Sequence, residues 1–171
     1  MKTFLIIVVL LIAAIVVYFF ILGIHSRSKD APGLIGGQLA KCPDTPNCFC
    51  TEYMDHKGHY LEPIHFPQTM RAGIDAMVVI REIITEMGGK IQHQKENYLA
   101  ATFSSAIFGF VDDFEVRIDT GIDQANKIIH LRSASRVGRS DLGVNKKRID
   151  LFKKLFEKKI SINAKKDEIK K

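Results

Sequence analysis

Between Asp112 and Asn145 the chain concentrates side chains able to hold ions, move protons or attack a carbonyl. Asp112 and Asp113 are adjacent carboxylates, and Arg132, Arg136 and Arg139 follow, interleaved with Ser133, Ser135 and Ser140 and closed by Asp141 and Asn145. A guanidinium presents a fixed fork of donors that matches carboxylate and phosphate, so arginines set among serines describe a pocket for an anionic group. The same residues have a plainer use. A buried carboxylate is costly unless paired, so Asp112 and Asp113 call for cations, which Arg132 foremost, or Arg136 and Arg139, can supply. The loop is then pinned by a structural network, with Asp141 and Asn145 holding backbone amides. A third arrangement sets Asp112 or Asp113 beside His130 and a serine as a hydrolase triad, yet no nucleophile elbow or Gly-rich turn surrounds any serine. Scaffolding is the commoner fate of such clusters. Where the cluster has a function, the expectation is a non-catalytic binding module. It takes an anionic ligand or a partner protein through Arg132, Ser133, Ser135, Arg136, Arg139, Ser140, Asp141 and Asn145, with the hydrolase as the alternative.

A second group of possible ligands is Cys42, Cys48, Cys50, His56, His59 and His65. Its CxC and HxxH spacings match no standard zinc finger. A disulfide between Cys42 and Cys48 across the turn-rich CPDTPNC loop, with the histidines at the surface, is the expected arrangement. Closing so short a loop contributes about 2 kcal/mol. Cys50 is left over and could compete for either partner. The two aspartates could share a divalent cation, but the arginines beside them argue against it. Neither a metal nor a cofactor is expected.

These side chains need a frame. Phe110 to Asp119 alternates, with Phe110, Phe114, Val116 and Ile118 on one face and Val111, Asp113, Glu115, Arg117 and Asp119 on the other. Asp112 falls on the apolar face. Ile128 to Ser135 reads as the returning strand across a polar loop from Thr120 to Lys127. Lys90 to Lys95 and Tyr98 to Phe103 form a hairpin about Glu96 and Asn97. A core helix capped by Thr69 carries Ile74, Met77, Val78, Ile84 and Met87 and stops at Gly88 and Gly89. A second helix, capped by Asn145, aligns Ile149, Phe152, Leu155, Phe156 and Ile160 against a lysine face and frays past Asn163. Tyr60 to Phe66 is extended, at an edge because of Pro63. The class is α+β, a small antiparallel sheet covered on one side by two helices.

From Thr3 to Ile24 there are 22 residues without a charge. As a helix they rise about 33 Å, enough for a bilayer core of about 30 Å. A cleaved signal peptide would have a shorter apolar region and a small-residue cleavage site, which Leu22, Gly23, Ile24 and His25 do not make, so a retained single-pass anchor is expected. The lipid bilayer is then a partner through residues 3–24. Positive charge is nearly balanced across the span, but a disulfide needs an oxidising compartment, which places the domain outside the cytoplasmic (inner) membrane. Residues 25–38, rich in Ser, Gly and Pro, read as a linker, residues 39–162 as the domain, and 163–171 as a basic tail. The net charge of +6 is concentrated at the end of the chain, where residues 145–171 hold 11 Lys or Arg against 4 Asp or Glu. For an exported domain that points away from nucleic acid and toward a solvated helix face near anionic lipid. The oligomeric state is not legible.

Three stretches, CPDTPNC, YLAATFSSAIFGFVDDFEVRID and IHLRSASRVGRSDLGVNKKRI, resemble the domain of unknown function 1499 family of bacteria and plants. The resemblance runs from about Leu39 to Leu155 and implies a membrane-anchored bacterial member. It groups the residues and supports one fold, and it supplies no reaction. The family pattern has Ser where this chain has Cys50.

Overall fold

A computed structural model describes residues 1–66, 75–120 and 127–169, with side chains to residue 162. Five strands run antiparallel in the order β3 (Cys48–Cys50), β8 (Ile128–Ser135), β7 (Val111–Asp119), β6 (Tyr98–Ser104), β5 (Lys90–Gln94). A two-residue strand, β4 (Ile64–His65), shares the outer edge of β8 with β3. Short connections produce this order, since each of β6 to β8 pairs with the strand before it. One face carries Leu99, Ala101, Phe103, Phe114, Val116, Ile118, Ile129 and Leu131, and it packs against α2 (Ala76–Glu86) and α3 (Val144–Ile169). Phe152 and Phe156 of α3 stack across this core, and Phe152 meets Phe114 at a centroid distance of 5.3 Å. The α+β class is as the sequence indicates.

Four features depart from the sequence reading, each for a tertiary reason. The sheet's second face is buried as well. Leu39, the Cys42–Cys48 disulfide and Cys50 cover Tyr98, Ala100 and Ala134, so the alternation of β7 separates two interiors and not core from solvent. Residues 25–38, expected as a linker without periodicity, carry regular structure: α1 (Lys2–Arg27) continues through the first of them, and β1 (Leu34–Ile35) and β2 (Gln38–Leu39) form a hairpin. Its turn is Gly36-Gly37, both at positive φ, as a two-residue hairpin turn of type I′ requires. The cap on α2 is Asp75, whose carboxylate accepts from the Met77 amide at 2.8 Å; Thr69 and Ile74 lie outside the described residues. Helical backbone in α3 continues to Ile169, past the expected fraying point at Asn163.

Among the described residues α1 is the one helix long and apolar enough to cross a membrane. Its last turns dock on the loop between β6 and β7. Phe19 and Phe20 each meet the Phe108 ring at 5.3 Å. A Cβ on Gly23 would lie 1.9 Å from the Phe108 carbonyl oxygen, so only glycine permits the approach. Ser26, fully buried, accepts the Val111 amide at 3.1 Å and thereby satisfies the first residue of β7.

Candidate functional site

Register places Asp112 at the end of the core face, opposite Phe103 on one side and Ser135 on the other. Its cation is not on β8 or in the loop after it. Arg148, one turn into α3, donates to Asp112 Oδ2 at 2.9 Å, with both side chains largely buried. The same guanidinium donates to Ser133 Oγ at 3.1 Å and Asn145 Oδ1 at 2.6 Å, and lies 4.6 Å from the centre of the Phe103 ring. Asn145 is fully buried and is a hub, not a cap. Its amide nitrogen donates to the Asn47 carbonyl at 3.0 Å and to Ser135 Oγ at 2.9 Å, while its oxygen also accepts from Ser133 at 2.5 Å. Asp141 does hold backbone amides: its two oxygens accept from Gly143 and Asn145 at 3.0 and 2.7 Å.

The other arginines work on the opposite face. Arg136 forks onto Asp113, at 2.7 Å for the closest pair, and reaches the Ser26 carbonyl. Arg132, expected to serve Asp112 or Asp113, instead donates to Glu115 Oε2 at 2.7 Å. Glu115 is fully buried and also accepts from the Tyr98 hydroxyl at 2.7 Å and the Gly33 amide at 3.1 Å. Burial pushes its carboxyl up, against the pull of Arg132. Burial likewise pushes the Tyr98 phenol up, reinforced by Glu115. Arg117 extends the line by donating to Glu52 at 2.6 Å. Arg139 and Ser140 lie exposed in the loop before α3. The anion pocket read from the sequence is therefore divided between two faces of the sheet, with Arg132, Arg136 and Ser133 engaged by protein groups.

The triad is not assembled. Asp112 faces the other side of the sheet from His130, and Asp113 stands opposite Ala134, four residues from His130 and thus roughly 13 Å along the strand. His130 contacts Thr51 at 3.4 Å, and burial pushes its imidazole down. Among the proposed zinc ligands, Cys42 and Cys48 are joined with Cα atoms 5.6 Å apart, as expected. Cys50 is buried, its thiol pushed up to about 11 by that burial, and does not compete. His65 lies away on β4, whereas His56 and His59 come together with ring centres 4.1 Å apart.

A cavity of roughly 460 Å³ opens between the end of α1 and this end of the sheet. Phe19, Leu22, Phe110, Val137 and Val144 form its apolar walls. Its polar floor is the Asp112–Arg148 pair with Ser104, Ser135 and Ser140. The size and the mixture of apolar wall and few converging polar groups are those of a small-molecule site.

The model of the family described as protein of unknown function (DUF1499) matches residues 38–156, well over half of the chain. The chain belongs to this family. A comparison with curated proteins gives no match. The DUF1499 match holds the whole Asp112–Arg148–Asn145 cluster and the disulfide, while Phe19, Leu22 and Ser26 lie before it. The cavity is thus built by the DUF1499 domain together with its N-terminal helix. Arg148, Asn47 and Glu115 escaped the sequence reading as site residues. Arg148 had a signal, since Asn145 and Arg148 are spaced to share a helix face; Asn47 and Glu115 had none.

Proposed function

We propose that the protein is a membrane-tethered, non-catalytic binding module that takes an amphiphile from the outer leaflet of the cytoplasmic membrane into the cavity between α1 and the domain. The observation that carries this reading is the shared wall, in which Phe19 and Leu22 of the apolar helix face Val137, Val144 and Phe110 of the domain. Phe19 precedes Ile24 by five residues, about 7.5 Å of helix, so in a membrane crossed by α1 the cavity opens at the edge of the hydrocarbon. Retention of α1 is favoured over cleavage because Ser26 supplies the acceptor for Val111 and Arg136 reaches the Ser26 carbonyl. The disulfide favours an extracytoplasmic domain. Exposed Ile107 and Leu142 flank the cavity-lining loops and suit the same surface, Leu142 being 88% exposed.

The lining also selects a headgroup. Arg148 is already neutralised by Asp112, and Asp141 adds a carboxylate engaged by helix amides. A zwitterionic or hydroxyl-rich head suits that balance better than the bare anion that three free arginines would attract. The test is photo-crosslinking of the full chain in vesicles of phosphatidylethanolamine and phosphatidylglycerol doped with a photoactivatable phospholipid. Adducts at Val137 or Val144 that are lost in Val137→Trp, with folding retained, are the expected result. Adducts confined to the outward faces of α1, or unaffected by filling the cavity, would overturn it.

A further inference from the structure

We propose that Asp44, His56 and His59 form a binding site for a late first-row divalent cation, with zinc the first candidate. The three residues come from two short, braced turns outside the cavity and independent of its ligand. Asp44 lies in the loop closed by the Cys42–Cys48 disulfide and tightened by Thr45, which donates to Asn47 Oδ1 at 2.7 Å. His56 and His59 lie in the turn after β3, where the His59 and Tyr60 amides both return to the His56 carbonyl. One ligand atom from each residue lies within 4.8 Å of the others. Three donors around a tetrahedral zinc, with bonds of about 2.0–2.1 Å, stand about 3.4 Å apart. Asp44 Oδ1 already lies 3.1 Å from His56 Nε2, and its side chain is 99% exposed, so it has room to adjust toward that spacing.

Two further observations favour a cation here over an ordinary surface ion pair. His59 Nδ1 lies 2.9 Å from the Cys48 carbonyl, which can only accept, so in the neutral ring that nitrogen carries the proton and leaves the Nε2 lone pair for a metal. Metal-bound histidines are held in this way by an outer hydrogen bond. His56 Nε2 meets Asp44 at 3.1 Å, but its Nδ1 is buried with no hydrogen-bond partner among the described residues. Two imidazoles and a carboxylate are borderline ligands that suit zinc, copper or nickel and not calcium or magnesium. With three protein donors, a fourth position would remain for water or a further ligand.

The experiment uses the full chain in detergent, disulfide intact and without a polyhistidine tag, titrated with Zn²⁺ against a chromophoric chelator. One equivalent should bind and raise the thermal midpoint by linkage. Asp44→Asn and His56→Gln should each weaken affinity by roughly tenfold or more, as loss of a ligand or its support does, while His65→Gln should not. Asp44→Asn alters an exposed side chain, so folding does not confound that arm. No stoichiometric zinc, or an affinity unchanged in both variants, would overturn the site. So would imidazole resonances of His56 and His59 that respond to pH and not to Zn²⁺, because the triplet would then hold only a proton.

Discussion

At the residue scale, the buried cluster at the end of the sheet depends on Arg148 being matched. Asp112→Ala leaves that guanidinium with two neutral acceptors and a ring but no counter-charge, and should cost about 3 kcal/mol in urea denaturation. A loss within error would mean that solvent already screens the pair. His130 gives a pH signature. Burial depresses its folded value below the ordinary 6.5, so the unfolded chain takes up the proton first. The stability from neutral His130 is present above about pH 6.5 and lost as pH falls below it. Glu115, shifted up, acts in the opposite sense, its contribution present at low pH and lost as pH rises through its folded value. Comparing wild type with His130→Gln at pH 7.5 and 5.5 isolates the histidine, and the variant should show the shallower loss. The residue types at this end were legible: the sequence places a carboxylate on an apolar face and demands a cation. It does not say which one, because Arg148 is 36 residues away and meets Asp112 only when α3 lies across the sheet.

At the scale of elements, the informative joint is between α1 and β7. Ser26→Ala removes the acceptor for the buried Val111 amide and should cost about 1–2 kcal/mol, while the helix itself is unaffected. Gly23→Leu should do more, since its side chain would meet the Phe108 carbonyl and push the helix end off the domain. Limited proteolysis between residues 28 and 33 should then accelerate; an unchanged rate would show that the joint is not tight. Neither contact is visible in one dimension. A 22-residue apolar run states that the segment avoids water, and says nothing about a glycine and a serine in its final turns that fit a loop about 85 residues later. The strands that alternate clearly, β7 and β8, were legible to within a residue because one face of each is filled by a continuous core. Of the short strands, β4 falls inside the stretch expected to be extended at an edge, whereas β1 to β3 were not legible, because two or three residues carry no period and are held by their neighbours.

At the scale of the whole molecule, the chain is a two-sided sheet whose second layer is an irregular segment stapled by a disulfide. Reduction, or Cys42→Ser with Cys48→Ser, should lower stability by about 2 kcal/mol and loosen the cover over Glu115 and Arg132. Deleting residues 1–29 should leave the sheet and its two helices folded. The product should unfold at lower denaturant than the full chain and stay soluble only with detergent, because Phe108 and Phe110 lose their cover. A deletion that neither lowers the midpoint nor needs detergent would show that α1 is merely a tether.

By itself the sequence determined what depends on local order: an apolar helix of membrane length, an antiparallel pair alternating with period two, two amphipathic helices, and a cysteine loop too short to do much but close on itself. Each of these follows from neighbours within a few residues, where periodicity and turn chemistry suffice. Only the tertiary structure decided the pairing of charges and the location of the cavity. Asp112 with Arg148, Asp113 with Arg136, Glu115 with Arg132, and Phe19 opposite Val137 all join residues far apart in the chain. Those partnerships are chosen by which buried charge can be desolvated at least cost. That quantity exists only once both faces of the sheet are covered.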